Sequence, residues 1–490
     1  MKLKELLNNI AEIDSELEIG GLAIDSRQVE PGFLFLAVNG NEYHGLEYID
    51  QAVEKGAQAV LYEPAGCGNK LAKNIQAIAC HPVPDLSAKL AEIAARFYRY
   101  PSKQLTVIGV TGTNGKTSCS QFLAQLLDDA GVIGTLGWGE PGDLKQTLNT
   151  TPDAVVLQRI LAEFVQQGKK YAVMEVSSHG LVQGRVQGIE FDAAVLTNLS
   201  RDHLDYHGSM QQYLQAKLKL FDGQSLQLAV VNLDDESAEP VLKKLTGRDI
   251  KVSGFSLKKN TAGGISDRVW ADVIEHDLKG IRFVVEWHGQ RTQIETELTG
   301  FFNVENILLV ITVLLGLGWP IEKIAKKITG LKPVAGRMQR FGGEGRPVVL
   351  VDYAHTPDAL EKLLQGVKPY VKGRLKVVFG CGGDRDSGKR SLMGEVAGNW
   401  ADEIVLTDDN PRTEDSTAII EDILTGCQAS PTQVVQNRAE AIEQTIKQAE
   451  IDDCIVIAGK GHENYQEIKG IRQAFSDQQY VRQALQEYGK

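Results

Sequence analysis

The run Gly112-Thr113-Asn114-Gly115-Lys116-Thr117 lies between an apolar strand, Leu105 to Val110, and a helical run, Ser118 to Ala130. A strand, a glycine-bearing turn and a helix form the setting in which backbone N–H groups and a lysine cradle phosphates. No other feature restricts the fold as much, because it demands a sheet whose strand opens directly onto the turn. Val110 stands where the general phosphate-loop pattern has glycine. The physical content is intact all the same: Gly112 and Gly115 let the backbone turn tightly, Lys116 supplies a cation, and Thr117 offers a hydroxyl to Mg²⁺. The loop predicts a nucleoside triphosphate as ligand.

A chain of 490 residues has room for about three domains of roughly 150 residues each. The expected division is 1–98, 99–335 and 336–490. The first segment alternates short apolar runs, such as Ala57 to Tyr62 and the strand-like Phe33 to Val38, with turns, and has no nucleotide motif of its own. The second continues from the phosphate loop as alternating strands and helices, which predicts a mostly parallel sheet. Two of its strands, Tyr171 to Glu175 and Phe191 to Thr197, run into polar residues, placing Glu175 and His203 where sheet ligands bind. In the third segment, strand-like runs at Val348 to Val351, Leu375 to Phe379, Ile404 to Thr407 and Cys454 to Ala458 each open onto a charged loop. The four loops, Asp352 to His355, Gly382 to Asp386, Asp408 to Arg412 and Gly459 to Glu463, should share one rim of one sheet.

Hydrophobic content of 42% and charged content of 24% are those of a globular chain, and the formal charge of −12 disfavours nucleic acid or an anionic membrane as partner. The longest apolar run, Ile307 to Leu317, is too short to span a bilayer, which takes about 20 residues. Leu3, Leu6, Leu7, Ile10 and Ile13 fall at helical spacing among charges, unlike a signal peptide, so a cytoplasmic location is expected. The six cysteines are scattered without C-x-x-C pairs, which suggests neither a zinc site nor a disulfide framework. Cys381, beside the charged rim, is one whose role the sequence leaves open.

With Gly112 to Thr117, Asp409-Asn410-Pro411-Arg412 and Gly459-Lys460-Gly461-His462-Glu463 in this order, the chain resembles the Mur ligases of peptidoglycan synthesis over essentially its whole length. The resemblance implies an α/β protein of three domains: an amino-terminal one for a UDP sugar, a central parallel-sheet ATPase with the phosphate loop, and a carboxyl-terminal Rossmann-like one for the incoming amino acid. It implies ATP and two Mg²⁺ ions, with Gly112 to Ser118 on the phosphates and Thr117, Glu175 and His203 on the metal. Lys217 matches a lysine that the family carries as a carbamate (N6-carboxylysine), a carboxylate that orients a second Mg²⁺. Asn303, Asn306, Arg337, Asp352 and His355 match positions that contact the nucleotide, with Arg337 carried toward the γ-phosphate when the last domain closes. Lys116, Lys217, His203 and Arg337 are thereby the candidate catalytic residues.

For the substrate UDP-N-acetylmuramoyl-L-Ala-D-Glu the matches are Ser26, Asn149, Thr150, Thr151, Ser177, Gln183 and Arg185, hydroxyls, amides and one guanidinium suited to a pyrophosphate and a carboxylate. Asn41-Glu42-Tyr43-His44-Gly45 departs from the polar run typical of that region. For meso-2,6-diaminopimelate the matches are Arg385, Asp409, Asn410, Pro411, Arg412, Gly459 and Glu463. Arg412 distinguishes this amino acid from L-lysine, since a guanidinium fork pairs with the extra carboxylate through two charge-assisted bonds, and buried arginines facing lysine would lack an anion. The alternatives are a lysine-adding Mur ligase, a folylpolyglutamate synthase-like ligase, or, from another class, a phosphate-loop ATPase or kinase that ligates nothing. The expected enzyme is a monomer that activates a carboxylate as an acyl phosphate.

Overall fold

The computed structural model describes residues 1–40, 43–147, 149–259, 265–277, 280–427 and 430–489, so Asn41 and Glu42 of the departing run lie outside the described residues. The chain divides into two compact units, one of Met1–Gly109, Leu127–Ala193 and Asp222–Leu226, the other of Val110–Leu126, Ala194–Phe221 and Gln227–Lys490.

In the first unit, four strands pair in the order Gly21–Ala23, Phe33–Ala37, Ala59–Tyr62, Cys80–Pro82, all parallel. Their side chains alternate between two apolar layers, as period-two geometry requires. Leu34 and Leu36 pack with Leu3, Leu6, Leu86 and Ile93, whereas Phe35 and Ala37 pack with Leu46, Ile49 and Ala52. The amino-terminal helix covers only Leu3–Leu6. Asn9 takes φ 62° and breaks the expected helical run, although Ile10 and Ile13 still reach the same core. Farther along the unit, Tyr171–Glu175, Ala130–Gly134, Gly137–Glu140 and Asp143–Lys145 lie side by side.

The phosphate-loop strand is Thr106–Thr111 and the helix after the loop Lys116–Leu126. That helix stops short of the expected Ala130, because Asp129 adopts φ 59° and Ala130 opens a strand that pairs with Tyr171.

In the second unit the sheet runs Gln290–Thr296, Ile281–Trp287, Asp267–His276, Lys251–Ser256, Leu228–Asn232. The first three are antiparallel, a departure from the expected parallel continuation. Their hairpin turns at His288 and Gly289, both with positive φ (48° and 80°), the signature of a tight two-residue turn. The apolar helix Phe302–Gly316 is almost wholly buried. Among the described residues no helix is long and apolar enough to cross a membrane.

The same unit carries a six-stranded sheet in the order Gln339–Gly342, Val348–Asp352, Cys454–Ala458, Leu375–Phe379, Glu403–Leu406, Thr432–Val434. All but the first strand are parallel. The last of these six strands in chain order is therefore inserted between the second and third, and the four charged loops leave the same edge. Beneath that edge Arg438 is fully buried with Asp477, donating from Nε and Nη2 at 2.7 and 2.8 Å, and Nη2 also reaches the Ala458 carbonyl at 2.9 Å. One guanidinium thus ties the start of the helix Arg438–Lys447, the start of Asp477–Glu487 and the end of the central strand. Replacing Arg438 by Met leaves Asp477 buried and unpaired. We expect this to destabilise the protein by about 3–5 kcal/mol, and the charge-balanced R438M/D477L variant to recover most of the loss, as read by denaturant and thermal unfolding.

Candidate active site

The phosphate loop is held by backbone geometry that admits only glycine at its two turns. Gly112 has φ 144° and a Cβ there would run into the Thr197 hydroxyl; Gly115 has φ 84° and a Cβ would stand 2.7 Å from Asn306 Oδ1. Between them the loop is tied to the segment after Ala193–Leu196: Thr113 N donates to the Asn198 carbonyl and Asn114 N to Asn198 Oδ1, both at 2.9 Å. Lys116 Nζ folds back on the loop carbonyls of Gly112 and Thr113 at 2.8 and 2.7 Å. Asn306, on the helix Phe302–Gly316, donates to Asn303 Oδ1, and Asn303 donates to the Thr299 carbonyl, so the two asparagines act as one braced pair beside Gly115.

Arg337 reaches the loop from the carboxyl-terminal segment. Its Nη2 donates to Thr117 Oγ1 at 3.1 Å and its guanidinium lies over the Tyr353 ring, 4.5 Å from the centroid. The buried Nε of Arg337 meets no acceptor among the described residues. A buried guanidinium N–H aimed at a phosphate loop fits a phosphate oxygen as partner. Asp352 accepts from the Met338 and Ala354 amides, each at 2.7 Å, and burial pushes its carboxyl up while Arg337 opposes the shift. His355 Nδ1 bonds the Tyr353 carbonyl at 2.8 Å, which leaves Nε2 facing Asp202 Oδ2 at 3.7 Å. The cavity bounded by Asn114, Ser118, Asn306, Arg337, Asp352 and His355 holds only about 70 Å³, against roughly 300–1,000 Å³ for ordinary ligand pockets. Its walls must part to take a nucleoside.

Lys217, on the helix Met210–Leu218, is buried with Nζ donating to the Gly112 carbonyl at 2.6 Å and standing 4.3 Å from the Tyr213 ring. Burial, reinforced by the charge of Lys116, holds this amine well below the usual lysine range, against the pull of Asp202. His203 Nε2 is 3.4 Å from Asp202 Oδ2. Burial works to raise the Asp202 carboxyl, but the neighbouring His355 imidazole, with His203 and Lys389, overcomes it and holds the group far below the ordinary range. Thr117 and His203 are oxygen and imidazole donors suited to Mg²⁺, a cation that keeps several waters and takes only a few protein ligands. Asp202 was not singled out as a site residue from the sequence, though it sits in the polar run that carries His203. In the first unit, Glu175 ends its strand fully buried and accepts from Thr135 N and Oγ1 at 2.8 and 3.0 Å.

On the carboxyl-terminal rim, Asn410 Nδ2 donates to Glu463 Oε2 at 2.9 Å, and Asp409 and Pro411 are buried beside it. Arg412, at φ 53°, is tied to the hairpin Tyr465–Ile468 and Ile471–Ala474 through its amide and carbonyl, and its Nη1 donates to the Gly383 carbonyl at 2.6 Å. A Cβ on Gly382 would stand 2.9 Å from Arg412 Nη1 and 3.9 Å from Arg385 Cγ, so the two arginines flank that glycine. Arg412 is half-buried and Arg385 exposed. Both arginines are therefore solvated or backbone-bonded, and the penalty that burial would place on an unpaired guanidinium does not arise from their positions here. Gly459 adopts φ 111° and packs against Asp409. Cys381 is a packing residue: its Sγ lies 3.7 Å from Met393 Sδ and burial pushes its thiol up to about 12.

The first unit has a cavity of about 730 Å³ whose lining includes Ser26, Asn149, Gln183 and Arg185, together with Tyr43 and Tyr48. Thr151 and Ser177 serve the frame around it. Thr151 Oγ1 donates to the Glu175 carbonyl and accepts from Ser177 N, both at 2.9 Å, and Ser177 Oγ caps the helix Ser178–Val182. Thr150 Oγ1 is 3.0 Å from Thr135 Oγ1. Arg185 Nη1 donates to the Thr151 carbonyl at 2.8 Å.

A phosphate loop with an arginine laid across its threonine, beside a Rossmann-like sheet with a charged rim, fits an ATP-using enzyme. Comparison with known proteins identifies the family. Residues 18–98 match the Mur ligase family catalytic domain, residues 110–314 the Mur ligase middle domain, and residues 336–461 the Mur ligase glutamate ligase domain. A protein of Ectopseudomonas mendocina named UDP-N-acetylmuramoyl-L-alanyl-D-glutamate–2,6-diaminopimelate ligase is 46% identical, covering 99% of this chain and 98% of its own. One of the same name from Alkalilimnicola ehrlichii is 45% identical over 99% of each chain. A solved structure of a ligase of that name aligns with TM-score 0.67 and 36% identity over 99% of both chains. The chain belongs to the Mur ligase family and is an ATP-dependent ligase.

His462, whose ring is tilted 42° to that of Tyr353 with centroids 5.0 Å apart, is pushed down to about 3, first by burial and then by Arg337, Lys460 and His355. The unfolded chain takes up this proton near pH 6.5 and the folded one does not until far lower, so folding stability falls as pH drops through that window. We expect His462→Phe to lose less thermal stability than the wild type between pH 6.5 and 4, measured by melting temperature across that range.

Proposed function

We propose that this ligase joins meso-2,6-diaminopimelate to the γ-carboxylate of the D-glutamate in UDP-N-acetylmuramoyl-L-Ala-D-Glu, in the cytoplasmic synthesis of peptidoglycan precursor. The observation that carries the reading is the pair of arginines, Arg385 and Arg412, flanking Gly382 on the rim that also bears Glu463. Two cations and one anion match the far end of diaminopimelate, a carboxylate and an ammonium, whereas lysine ends in an ammonium alone. The names of the full-length relatives support the same choice.

The γ-carboxylate attacks the γ-phosphorus of ATP, the bond to the bridging oxygen breaks, and ADP leaves an acyl phosphate. The amine of diaminopimelate then attacks the acyl carbon, loses a proton and expels phosphate to form the amide. Lys116 and Arg337 neutralise charge on the transferring phosphoryl group, a task of position and electrostatics. Asn303, Asn306, Asp352 and His355 hold the nucleoside part, and Ser26, Asn149, Gln183 and Arg185 receive the UDP sugar peptide. Thr117, His203 and a carboxylated Lys217 would hold Mg²⁺, which when bound would neutralise further charge on the phosphoryl group. Lys217 suits carboxylation because a neutral amine is the form that adds CO₂, and burial favours that form. Residues 1–98, 99–335 and 336–490 act as the sugar, nucleotide and amino-acid domains.

Phosphate release from ATP tests the reading. It should require both the UDP-dipeptide and diaminopimelate, be poor with L-lysine, and show a KM for diaminopimelate raised about 100-fold in Arg412→Ala, the size of losing a bidentate charge-assisted pair. Equal turnover with lysine would discard the arginine assignment and keep the ligase, while turnover indifferent to both acceptors would discard the ligase. Carboxylation has its own readout. Enzyme equilibrated with ¹³C-bicarbonate should show a carbamate resonance that Lys217→Ala lacks, and an identical spectrum from the two proteins would refute it.

A further inference from the structure

We infer that Lys460 is a positioning residue that turns Glu463 into a one-sided acceptor for the ammonium group of the incoming amino acid; the inference rests on the ligase reading above. Lys460 is fully buried. Its Nζ donates to Glu463 Oε2 at 2.7 Å and to Asn410 Oδ1 at 2.9 Å. Asn410 returns Nδ2 to the same Glu463 Oε2 at 2.9 Å, and Asn410 Oδ1 takes a further bond from Glu467 N at 2.9 Å. Lysine, asparagine and glutamate therefore close a three-membered ring of hydrogen bonds that uses one carboxylate oxygen twice.

The other oxygen, Oε1, has no donor among the described residues, and the Glu463 side chain keeps 14% of its surface exposed. An ionised carboxylate with one oxygen saturated from below can accept only on the remaining edge. That is the edge offered to an arriving ammonium. Burying a lysine is a poor way to gain stability, since its desolvation offsets much of the attraction to its partner. A role in orientation accounts for its place here. The ring also couples Gly459–Glu463 to Asp409–Arg412, so the acceptor for the ammonium and the guanidinium for the carboxylate are held as one unit. Lys460 acts on the amino acid only through Glu463 and has no direct part in phosphoryl transfer.

A double-mutant cycle on the full-length enzyme tests this by steady-state kinetics. Lys460→Met should raise the KM for diaminopimelate about 10- to 100-fold, the scale of freeing one buried charge-assisted hydrogen bond. The KM values for ATP and UDP-dipeptide should change by no more than about twofold. The K460M/E463Q variant leaves no buried charge unpaired and should match Glu463→Gln alone within about twofold, because the lysine has nothing left to position. If K460M melts early and cannot be assayed, the comparison of the double variant with E463Q stands by itself. A double variant weaker than E463Q by a further tenfold, or a KM for ATP that rises in step, would overturn the positioning role. A wild type without diaminopimelate-dependent turnover would overturn the ligase reading, and this inference with it.

Discussion

The position of one strand governs the rest of the acceptor site. Cys454–Ala458, last in chain order among the strands of its sheet, inserts between Val348–Asp352 and Leu375–Phe379, which breaks the consecutive order of a parallel sheet and opens a crevice at the carboxyl ends. Gly459–Glu463 can meet Asp409–Arg412 only because of that insertion. The same strand end is gripped from below by Arg438, whose fully buried pairing with Asp477 joins two helix starts to the Ala458 carbonyl. Electrostatics are thus used twice in one place: a closed ion pair fixes the backbone, and a half-open one, Lys460 with Glu463, lies on the rim itself.

Charge in the nucleotide region follows a different plan. The chain carries −12 overall, yet the phosphate loop gathers Lys116, Lys217 and Arg337. Two of these cations are satisfied by carbonyls of the loop itself, and the third spans to Thr117. A polyanion entering this site exchanges internal bonds for bonds to phosphate, so the loop is not left with bare charges when empty. Lys217 differs from its neighbours in being driven toward the neutral amine by burial and by Lys116. A buried amine beside a second ammonium is the kind of group whose charged form is disfavoured on both counts.

Much of this was legible in the chain. The strands Tyr171–Glu175, Leu375–Phe379 and Cys454–Ala458 fall where apolar runs end in charged loops, because parallel strands buried on both faces write themselves as continuous apolar stretches. The helix after the phosphate loop and the one at the amino terminus were overextended, since Asp129 and Asn9 leave the helical region without a glycine or proline to mark it. The hairpins from Asp267 to Thr296 went unseen for a related reason: His288 supplies the first positive φ where Asn or Asp would have signalled the turn. Pairings at long range, such as Asp202 with His355 or Arg438 with Asp477, leave no local pattern at all. Lys460 lay inside a motif read for its glycines and glutamate, and only its burial exposes its part.

Of the two origins of selectivity that the sequence suggests for this rim, pairing with an extra carboxylate and a penalty for an unpaired guanidinium, the geometry favours the first. A buried guanidinium without an anion would reject lysine by penalty, but Arg412 has its Nη1 on the Gly383 carbonyl and is half-buried, and Arg385 is exposed. Lysine therefore meets cations already hydrated or bonded and incurs chiefly their like-charge repulsion. On the diaminopimelate reading proposed above, discrimination would come mainly from what that amino acid gains, a carboxylate in place of the Gly383 carbonyl as partner of Arg412. Exchanging a neutral acceptor for an ionised one strengthens a bond that exists before binding, where forming one from nothing would yield more. Preference of that kind would be graded, and on the reading proposed above its size would depend on how firmly the ring of Lys460, Asn410 and Glu463 holds the neighbouring ammonium in register, since a loosely seated substrate could not bring its carboxylate to Arg412.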